Sequence, residues 1–435
     1  MPSNVLVAQS GGPTAVINNS IRGVFDACRE RPDRFGRVYA AWHGIEGALQ
    51  EELLDLSAQD EREIRRLETT PAAGAMGTCR YKLRSSQPED FERVVEVFKA
   101  HDIGWFFYAG GNDSMDTASK ISRLAAQRGL DLVATGVPKT IDNDVGDAEF
   151  RLVDHTPGYG STARYWACNV LAANEENAGS CPADPVLVLQ AMGRKIGFIP
   201  AAARLADPDR RLPLLIAMAE SGVTLGELAD RVADQVRRHR RCLLVVSEGF
   251  DVGDLGEERD AFGHTSFGAS ERTAQQAIVT YLNRKGLPST GKARGQVPGT
   301  DQRHSMPLAS AVDLDEAYEA GRHAVEIAAH DGGGFMATIQ RAPGPVYAAR
   351  YGKVALDAVA NSERRFPRAW IAPGGLDVTD DFVRYARPLI GEGWVNVPLE
   401  GGLPRFARLR PVFAARRCAP YVPQAYRAKA GGGGR

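Results

Sequence analysis

The amino-acid sequence predicts an α/β protein of two doubly wound domains. Short apolar runs alternate with helical stretches from the N-terminus onward, the pattern of a mostly parallel sheet covered by helices. Three of these runs break into tight, functional-looking turns: Gln9 into Ser10-Gly11-Gly12, Ala109 into Gly110-Gly111, and Gly136 into Val137-Pro138-Lys139-Thr140. The alternation pauses at Cys181-Pro182-Ala183-Asp184-Pro185 and then restarts, and 435 residues is chain enough for two domains.

In order, Asn4 to Gln9 is a strand, and Val16, Ile17, Ile21, Val24, Phe25 and Cys28 recur after it at helical spacing. Val38 to Trp42 reads as a second strand, and the charge-rich Leu53 to Thr70 as a region with a surface helix. Glu92 to Ala100 is helical; Trp105 to Ala109 and Asp131 to Gly136 are buried strands. His155 to Leu171 opens on Thr156-Pro157-Gly158-Tyr159-Gly160-Ser161 and continues as a helix. After the pause, Val186 to Leu189, Leu212 to Ala219 and Cys242 to Val246 are strands, with helices at Leu225 to Arg238 and Ser270 to Arg284. Asp251 to Gly268 reads as a polar loop, Lys292 to Arg303 as a loop with three cations, and Asp313 to His330 as an amphipathic helix. Gly431 to Gly434 suits a mobile tail. No short-period repeat is present.

Composition excludes several classes of function. An apolar fraction of 43% and a charged fraction of 25% are those of an ordinary globular protein. A formal net charge of -1 gives no reason to expect nucleic acid or an anionic membrane as partner. No apolar run is long enough to span a bilayer. The chain enters its first strand without a basic-then-apolar leader, and its six cysteines have no CxxC spacing. We therefore expect free thiols in a cytoplasmic protein, without a disulfide framework or a zinc site.

The chemistry concentrates between Trp105 and Asp144. Glycines after a strand let the backbone approach a phosphate, and the helix start behind Gly111, Asn112, Asp113 and Ser114 offers free N–H groups. Lys139, Thr140, Asp142 and Asp144 fall within six residues, the equipment of metal-assisted phosphoryl transfer. One aspartate could merely cap a turn. A lysine, a threonine and two aspartates around one asparagine exceed that explanation. Arg80 and Lys82 follow a run of small residues, in a loop that can present cations to an anion. Ligands of open α/β sheets sit at the carboxyl ends of strands, so the Gly11-Gly12, Gly110 to Ser114 and Lys139 to Asp144 loops should converge.

Taken together, SGGPTAVIN, GTCRYKL, YAGGNDSMDTA, GVPKTIDNDV, MGRK, VSEGF and RGQVPGTDQR stand in the order of the phosphofructokinase family, which the chain resembles from about Asn4 to Pro420. The resemblance implies two similar α/β domains with the active site in the cleft between them. It assigns residues 1–153 plus about 302–365 to the phosphoryl donor, 154–301 plus about 366–420 to the sugar phosphate, and leaves 421–435 as a flexible tail. It implies magnesium-dependent transfer of a phosphoryl group to the 1-hydroxyl of fructose 6-phosphate. A homodimer or homotetramer is also implied, since sugar-phosphate arginines in this family are often shared between subunits. Carried over residue by residue, Gly12, Arg80, Gly111, Asn112 and Ser114 hold the donor, and Asp142 is the base. Lys139, Asp113 and Thr140 assist it. Thr140, Ile141, Asp142, Met192, Gly193, Arg194, Glu248, Arg294, Thr300 and Arg303 receive the sugar phosphate. Asn112, Asp113 and Asp144 surround the magnesium.

Two positions select the donor. ATP-using members resemble GGDGS and PGTIDND, whereas this chain has GGNDS and PKTIDND. Asp113 takes the place of a glycine that leaves room for the α-phosphate of ATP, and Lys139 brings a cation to the polyphosphate site. The resemblance therefore implies pyrophosphate as donor. An ATP-dependent kinase, a preference for another sugar phosphate such as sedoheptulose 7-phosphate, and a non-catalytic sugar-phosphate sensor are the alternatives. Asn112 stands where many members carry an aspartate near the metal, and Thr300 where a histidine or tyrosine often meets the sugar phosphate. Pro185 replaces an arginine of ATP-using bacterial members.

Overall fold

Aliphatic runs buried on both faces build two separate sheets. The structure, a computed structural model, describes residues 2–253, 273–360 and 362–430. The larger sheet has the order β11-β10-β5-β4-β1-β2-β3, formed by β1 (Asn4–Gln9), β2 (Val38–Ala41), β3 (Leu53–Asp55), β4 (Ile103–Gly110), β5 (Val133–Pro138), β10 (Phe335–Arg341) and β11 (Ala349–Ala355). Its five inner strands run parallel, and β3 and β11 close the two edges antiparallel. The smaller sheet, β7-β8-β6-β9, is parallel throughout and comprises β6 (Val186–Ala191), β7 (Leu214–Ala217), β8 (Cys242–Ser247) and β9 (Ala293–Gln296).

Helices cover both faces of each sheet, as all-parallel strands require. On the larger sheet, Ile21, Val24, Phe25 and Val325 pack on one face; Val94, Phe98, Met115 and Ile121 pack on the other. On the smaller sheet the corresponding layers are Leu228, Val232 and Ile278, and Trp166, Phe198 and Ile199. The Ile17–Arg29 and Ala311–Asp331 helices touch backbone to backbone. A Cβ on Gly23 would stand 2.1 Å from the Tyr318 carbonyl oxygen, and one on Gly321 would stand 2.0 Å from that of Ser20. Neither position admits a side chain.

Several expectations need correction. The Lys292 to Arg303 segment is not all loop: Ala293–Gln296 is the edge strand β9. Leu53–Asp55 pairs with β2 ahead of the short Glu61–Arg66 helix. The strand pair β10 and β11 follows the Ala311–Asp331 helix and completes the larger sheet. Within the stretch 366–420, Phe366, Val378, Phe382 and Leu389 do pack with Trp166 and Phe198 beside the smaller sheet. Beyond residue 405 the chain instead runs back along β3, where Asp55 N–H donates to the Val412 carbonyl (2.8 Å) and Ala414 N–H to that of Leu53 (2.9 Å).

The expected tail is docked through residue 427. Asp90, fully buried, accepts from the Tyr421 hydroxyl (2.7 Å) and the Gln424 N–H (3.0 Å). Burying that carboxylate requires donors, and the C-terminal segment supplies them. The rest of the expected tail (431–435), and the expected polar loop from residue 254 onward, lie outside the described residues. Among the described residues no helix is long and apolar enough to cross a membrane.

Candidate active site

The carboxyl ends of the strands meet at a cavity of about 410 Å³. In the larger sheet the strand order reverses between β1 and β4, and the loops after β1, β4 and β5 open there. The smaller sheet contributes the ends of β6 and β8 through Met192, Arg194 and Glu248. Gly12, Arg80, Gly111, Asn112, Asp113, Ser114, Lys139, Thr140, Ile141, Asp142, Asp144 and Arg303 complete the set of sequence-named residues lining it. Three loops expected to converge do so.

Lys139 is the most enclosed cation of the floor, only 4% exposed, and its ammonium donates to the Gly12 carbonyl at 2.8 Å. Burial pulls its pKa down to about 8, while Asp142 and Asp144 work against that fall. Asp142 and Asp144, both half-buried, line the cavity. Burial pushes both carboxyls up, and the cations of Arg194, Lys139, Arg303 and Arg80 hold Asp142 back. For Asp144 the adjacent Asp142 charge adds to burial and brings it to about 7. Glu248 is likewise raised by burial.

The loop carrying the two aspartates is clamped from behind. Asn143 between them adopts φ +57°, a left-handed conformation that asparagine tolerates. Its side-chain amide donates to the Tyr385 hydroxyl (2.8 Å), and its carbonyl oxygen accepts from Arg364 Nε (3.1 Å) and Nη2 (3.0 Å). The Arg364 N–H donates to the Asp144 carbonyl at 2.7 Å, and its buried guanidinium stacks 4.2 Å over Phe150. Thr140 is pinned on the near side, where the Thr156 hydroxyl donates to its carbonyl at 3.1 Å.

On the facing wall, Arg194 has φ +53° and its N–H donates to Glu248 Oε1 at 2.8 Å. Gly193 does not line the cavity; it makes the turn (φ +115°) that presents Arg194. The Met192 N–H donates to Gln302 Oε1 at 2.9 Å, which ties this wall to the short Asp301–His304 helix bearing Arg303. A Cβ on Gly12 would stand 2.8 Å from Arg303 Nη1 and 4.0 Å from Arg80 Nη2. A side chain at this position would have to displace the Arg303 guanidinium.

Two expected sugar-phosphate residues are elsewhere. Arg294 lies on edge strand β9, where its exposed guanidinium pairs with Asp184 at 2.9 Å. Thr300 sits exposed at the start of the Asp301–His304 helix, its hydroxyl 3.3 Å from His304 Nε2. Neither lines this chain's cavity. Conversely, Ser362, Glu363, Lys82, Tyr108 and Thr117 line it without having been named as site residues. Lys82 stands out among them, its ammonium 2.7 Å from Asp113 Oδ2. Only the basic loop GTCRYKL hinted at Lys82; nothing local hinted at Glu363.

The phosphofructokinase family model matches residues 4–328. The chain belongs to the phosphofructokinase family. The pyrophosphate–fructose 6-phosphate 1-phosphotransferase of Halomonas elongata is 40% identical over 420 residues, covering 93% of this chain and 96% of that protein. Crystal structures of pyrophosphate-dependent phosphofructokinases from Marinobacter aquaeolei and Nitrosospira multiformis are both 36% identical. They superpose with TM-scores of 0.85 and 0.86 over 97% of this chain, and over 99% and 100% of their own. The phosphofructokinase fold expected from the sequence is thereby established, with mixed and parallel sheets as described.

Enzymes of this family depend on magnesium. Among the described residues of this phosphofructokinase, no three His, Cys, Asp or Glu side chains form a group able to cage a metal. Magnesium dehydrates reluctantly and takes one or two carboxylates together with substrate phosphates and water, so a closed cage is not required. The buried Asn112 Oδ1 has no hydrogen-bond partner within the protein, and Asp144 lines the same cavity. Hard oxygen donors on a phosphate-sized cavity fit that ion.

Proposed function

We propose that this phosphofructokinase transfers a phosphoryl group from pyrophosphate to the 1-hydroxyl of fructose 6-phosphate, reversibly, giving fructose 1,6-bisphosphate and phosphate. The observation that carries this reading is the buried Lys139 ammonium beside Asp142, where nucleotide-using members have glycine. The names of the relatives reported above agree with it.

In this reading the loops of the larger sheet hold pyrophosphate: Gly12, Arg80, Gly111, Asn112 and Ser114 line its site, and Lys139 supplies charge at the transferring group. Arg194, Glu248 and Arg303 receive the sugar phosphate from the opposite wall, the arginines on its phosphate and Glu248 on hydroxyls. Asp142 accepts the proton of the 1-hydroxyl as that oxygen attacks phosphorus in line. The bond to the bridging oxygen breaks and phosphate leaves. Burial raises Asp142 toward the range of a working base, and the surrounding cations oppose that rise. Thr140 orients the acceptor. Asn112, Asp113 and Asp144 would hold magnesium, which when bound neutralises phosphoryl oxygens. Arg294, outside this chain's cavity, would serve the cavity of a second copy in a homodimer or homotetramer.

The test is a panel of pyrophosphate, ATP and ADP against fructose 6-phosphate and sedoheptulose 7-phosphate, read as phosphate release and as bisphosphate formed. Pyrophosphate with fructose 6-phosphate should give the highest kcat/KM. A higher value with ATP would overturn the donor assignment, and absence of turnover with every pair would favour a sensor.

A further inference from the structure

We propose that His155 is a positioning residue: gripped through both ring nitrogens by Asp154 and Glu316, it holds a strap of chain (residues 154–158) against the loop that carries Asp142 and Asp144. This role rests on the catalytic reading of that loop and extends it to a residue outside the cavity.

The grip is a buried ion cluster. His155 is 1% exposed, with Nδ1 2.8 Å from Asp154 Oδ2 and Nε2 2.7 Å from Glu316 Oε2. A neutral imidazole carries a single N–H and can donate to only one carboxylate, so two such contacts call for the imidazolium. Burial opposes that charge, but Glu316 and Asp154 outweigh it and lift His155 to about 10. Each carboxylate is held in turn. Arg341 of β10 donates to both Asp154 oxygens at 3.2 Å, and the Tyr347 hydroxyl donates to Glu316. Glu316 lies on the Ala311–Asp331 helix, so the cluster ties the strap to that helix and to β10 at once.

Backbone contacts carry the grip to the loop. The Asp154 N–H donates to the Ile339 carbonyl of β10 at 2.8 Å. Toward the loop, the Thr140 N–H donates to the Pro157 carbonyl at 3.3 Å, the Thr156 hydroxyl to the Thr140 carbonyl at 3.1 Å, and the Thr156 N–H to Asn143 Oδ1 at 3.3 Å. The Gly158 N–H donates to Asp313 Oδ1 at 2.9 Å, on the same helix as Glu316. The loop thus has two supports, Arg364 and Tyr385 at Asn143 and the strap at Thr140. The strap is also where the chain leaves the larger sheet for the Tyr159–Ser180 helix, which packs on the smaller one. Without the imidazolium, Asp154 and Glu316 lose the donor between them, and the strap can yield and take Thr140 with it.

The experiment uses the full-length wild type, His155→Gln, Glu316→Ala, Glu316→Gln and Thr156→Val, with Thr156→Val also combined with each of the first two. It measures kcat, both KM values, calorimetric fructose 6-phosphate binding, and hydrogen exchange by mass spectrometry. His155→Gln and Glu316→Ala should each lower kcat per calorimetric binding site about tenfold, with both KM values within about threefold. Both should speed exchange of the 139–144 amides about tenfold. Glu316→Gln should stay within about threefold of wild type, because its amide can donate to a neutral ring while Nδ1–H still serves Asp154. Thr156→Val cuts the same support further along, so each double variant should fall no more than about twofold below its poorer single. A kcat per site within about twofold of wild type in both His155→Gln and Glu316→Ala would overturn the proposal. So would doubles whose losses multiply in full, or a Glu316→Gln as impaired as Glu316→Ala. Glu316→Ala leaves the strap's own residues intact and decides the matter should His155→Gln fail to fold. A wild type that turns over with ATP alone would refute the donor reading, and the same comparison would then run with ATP. With no turnover at all the catalytic reading falls, and the exchange contrast between Glu316→Ala and Glu316→Gln still decides whether His155 holds the loop.

Discussion

The two walls of the cavity are built by different rules. On the wall of the larger sheet, the key residues stand one or a few positions past a strand end: Gly12 after β1, Asn112 after β4, Lys139 after β5. Buried strands place them, and little conformational freedom is left. On the other wall Arg194 and Glu248 obey the same rule, but Arg303 arrives on a short helix, and Arg294 and Thr300 do not arrive at all. Distance from the end of a buried strand is therefore the better guide to which motif residues share a site.

The largest effect should come from the floor. Asp142→Ser should lower kcat by about 10²–10⁴-fold while calorimetric fructose 6-phosphate binding is retained. Near-normal turnover would remove Asp142 from the role of base. Next comes Lys139→Met, expected to cost about 10²–10³-fold in kcat, mostly sparing KM for the sugar phosphate. Its pH signature has a definite sign. Burial pulls Lys139 down to about 8, so the ammonium is present below that pH and lost above it. The kcat/KM for pyrophosphate should then fall by about tenfold per pH unit beyond this point. The limb in kcat should lie at higher pH, because a bound polyanion favours the charged lysine. A flat profile to pH 10 would show that Lys139 does not act as a cation there.

Smaller effects test the second wall. Arg303→Ala should raise KM for fructose 6-phosphate about a hundredfold and Arg294→Ala about tenfold, with pyrophosphate KM nearly constant in both. If Arg294→Ala leaves KM unchanged, its bond to Asp184 is its whole role. The smallest effect is expected at Asn112→Asp, where an added charge should lower the magnesium concentration for half-maximal activity by about threefold, with matching tighter magnesium binding by calorimetry. Weaker binding would move the ion away from this residue.

Much of this was legible in the linear sequence, for physical reasons. Strand, turn and helix are local, and Lys139, Thr140, Asp142 and Asp144 lie close enough that one loop must present them together. The docked C-terminus was not legible, because the partners it satisfies, Tyr81 and Asp90, lie more than three hundred residues earlier. Glu363 and Ser362, which line the cavity, directly precede Arg364, whose contact with the Asn143 loop spans 221 residues. Strand β9 was hidden for another reason. Its sequence, ARGQ, is polar apart from the buried Ala293, as an edge strand permits.

The Arg364 clamp has a bearing on how the protein is made. The loop holding Asp142 and Asp144 is synthesised early, yet Arg364 and Tyr385, which hold Asn143 between them, leave the ribosome much later. Until then, the buried carbonyl oxygens of Asn143 and Val153 lack the donors that Arg364 brings. The nascent chain can form its first strands and helices in order, but it acquires a finished catalytic floor only near the end of translation. The floor is thereby completed only after the segments that carry Arg194, Glu248 and Arg303 on the facing wall have been made.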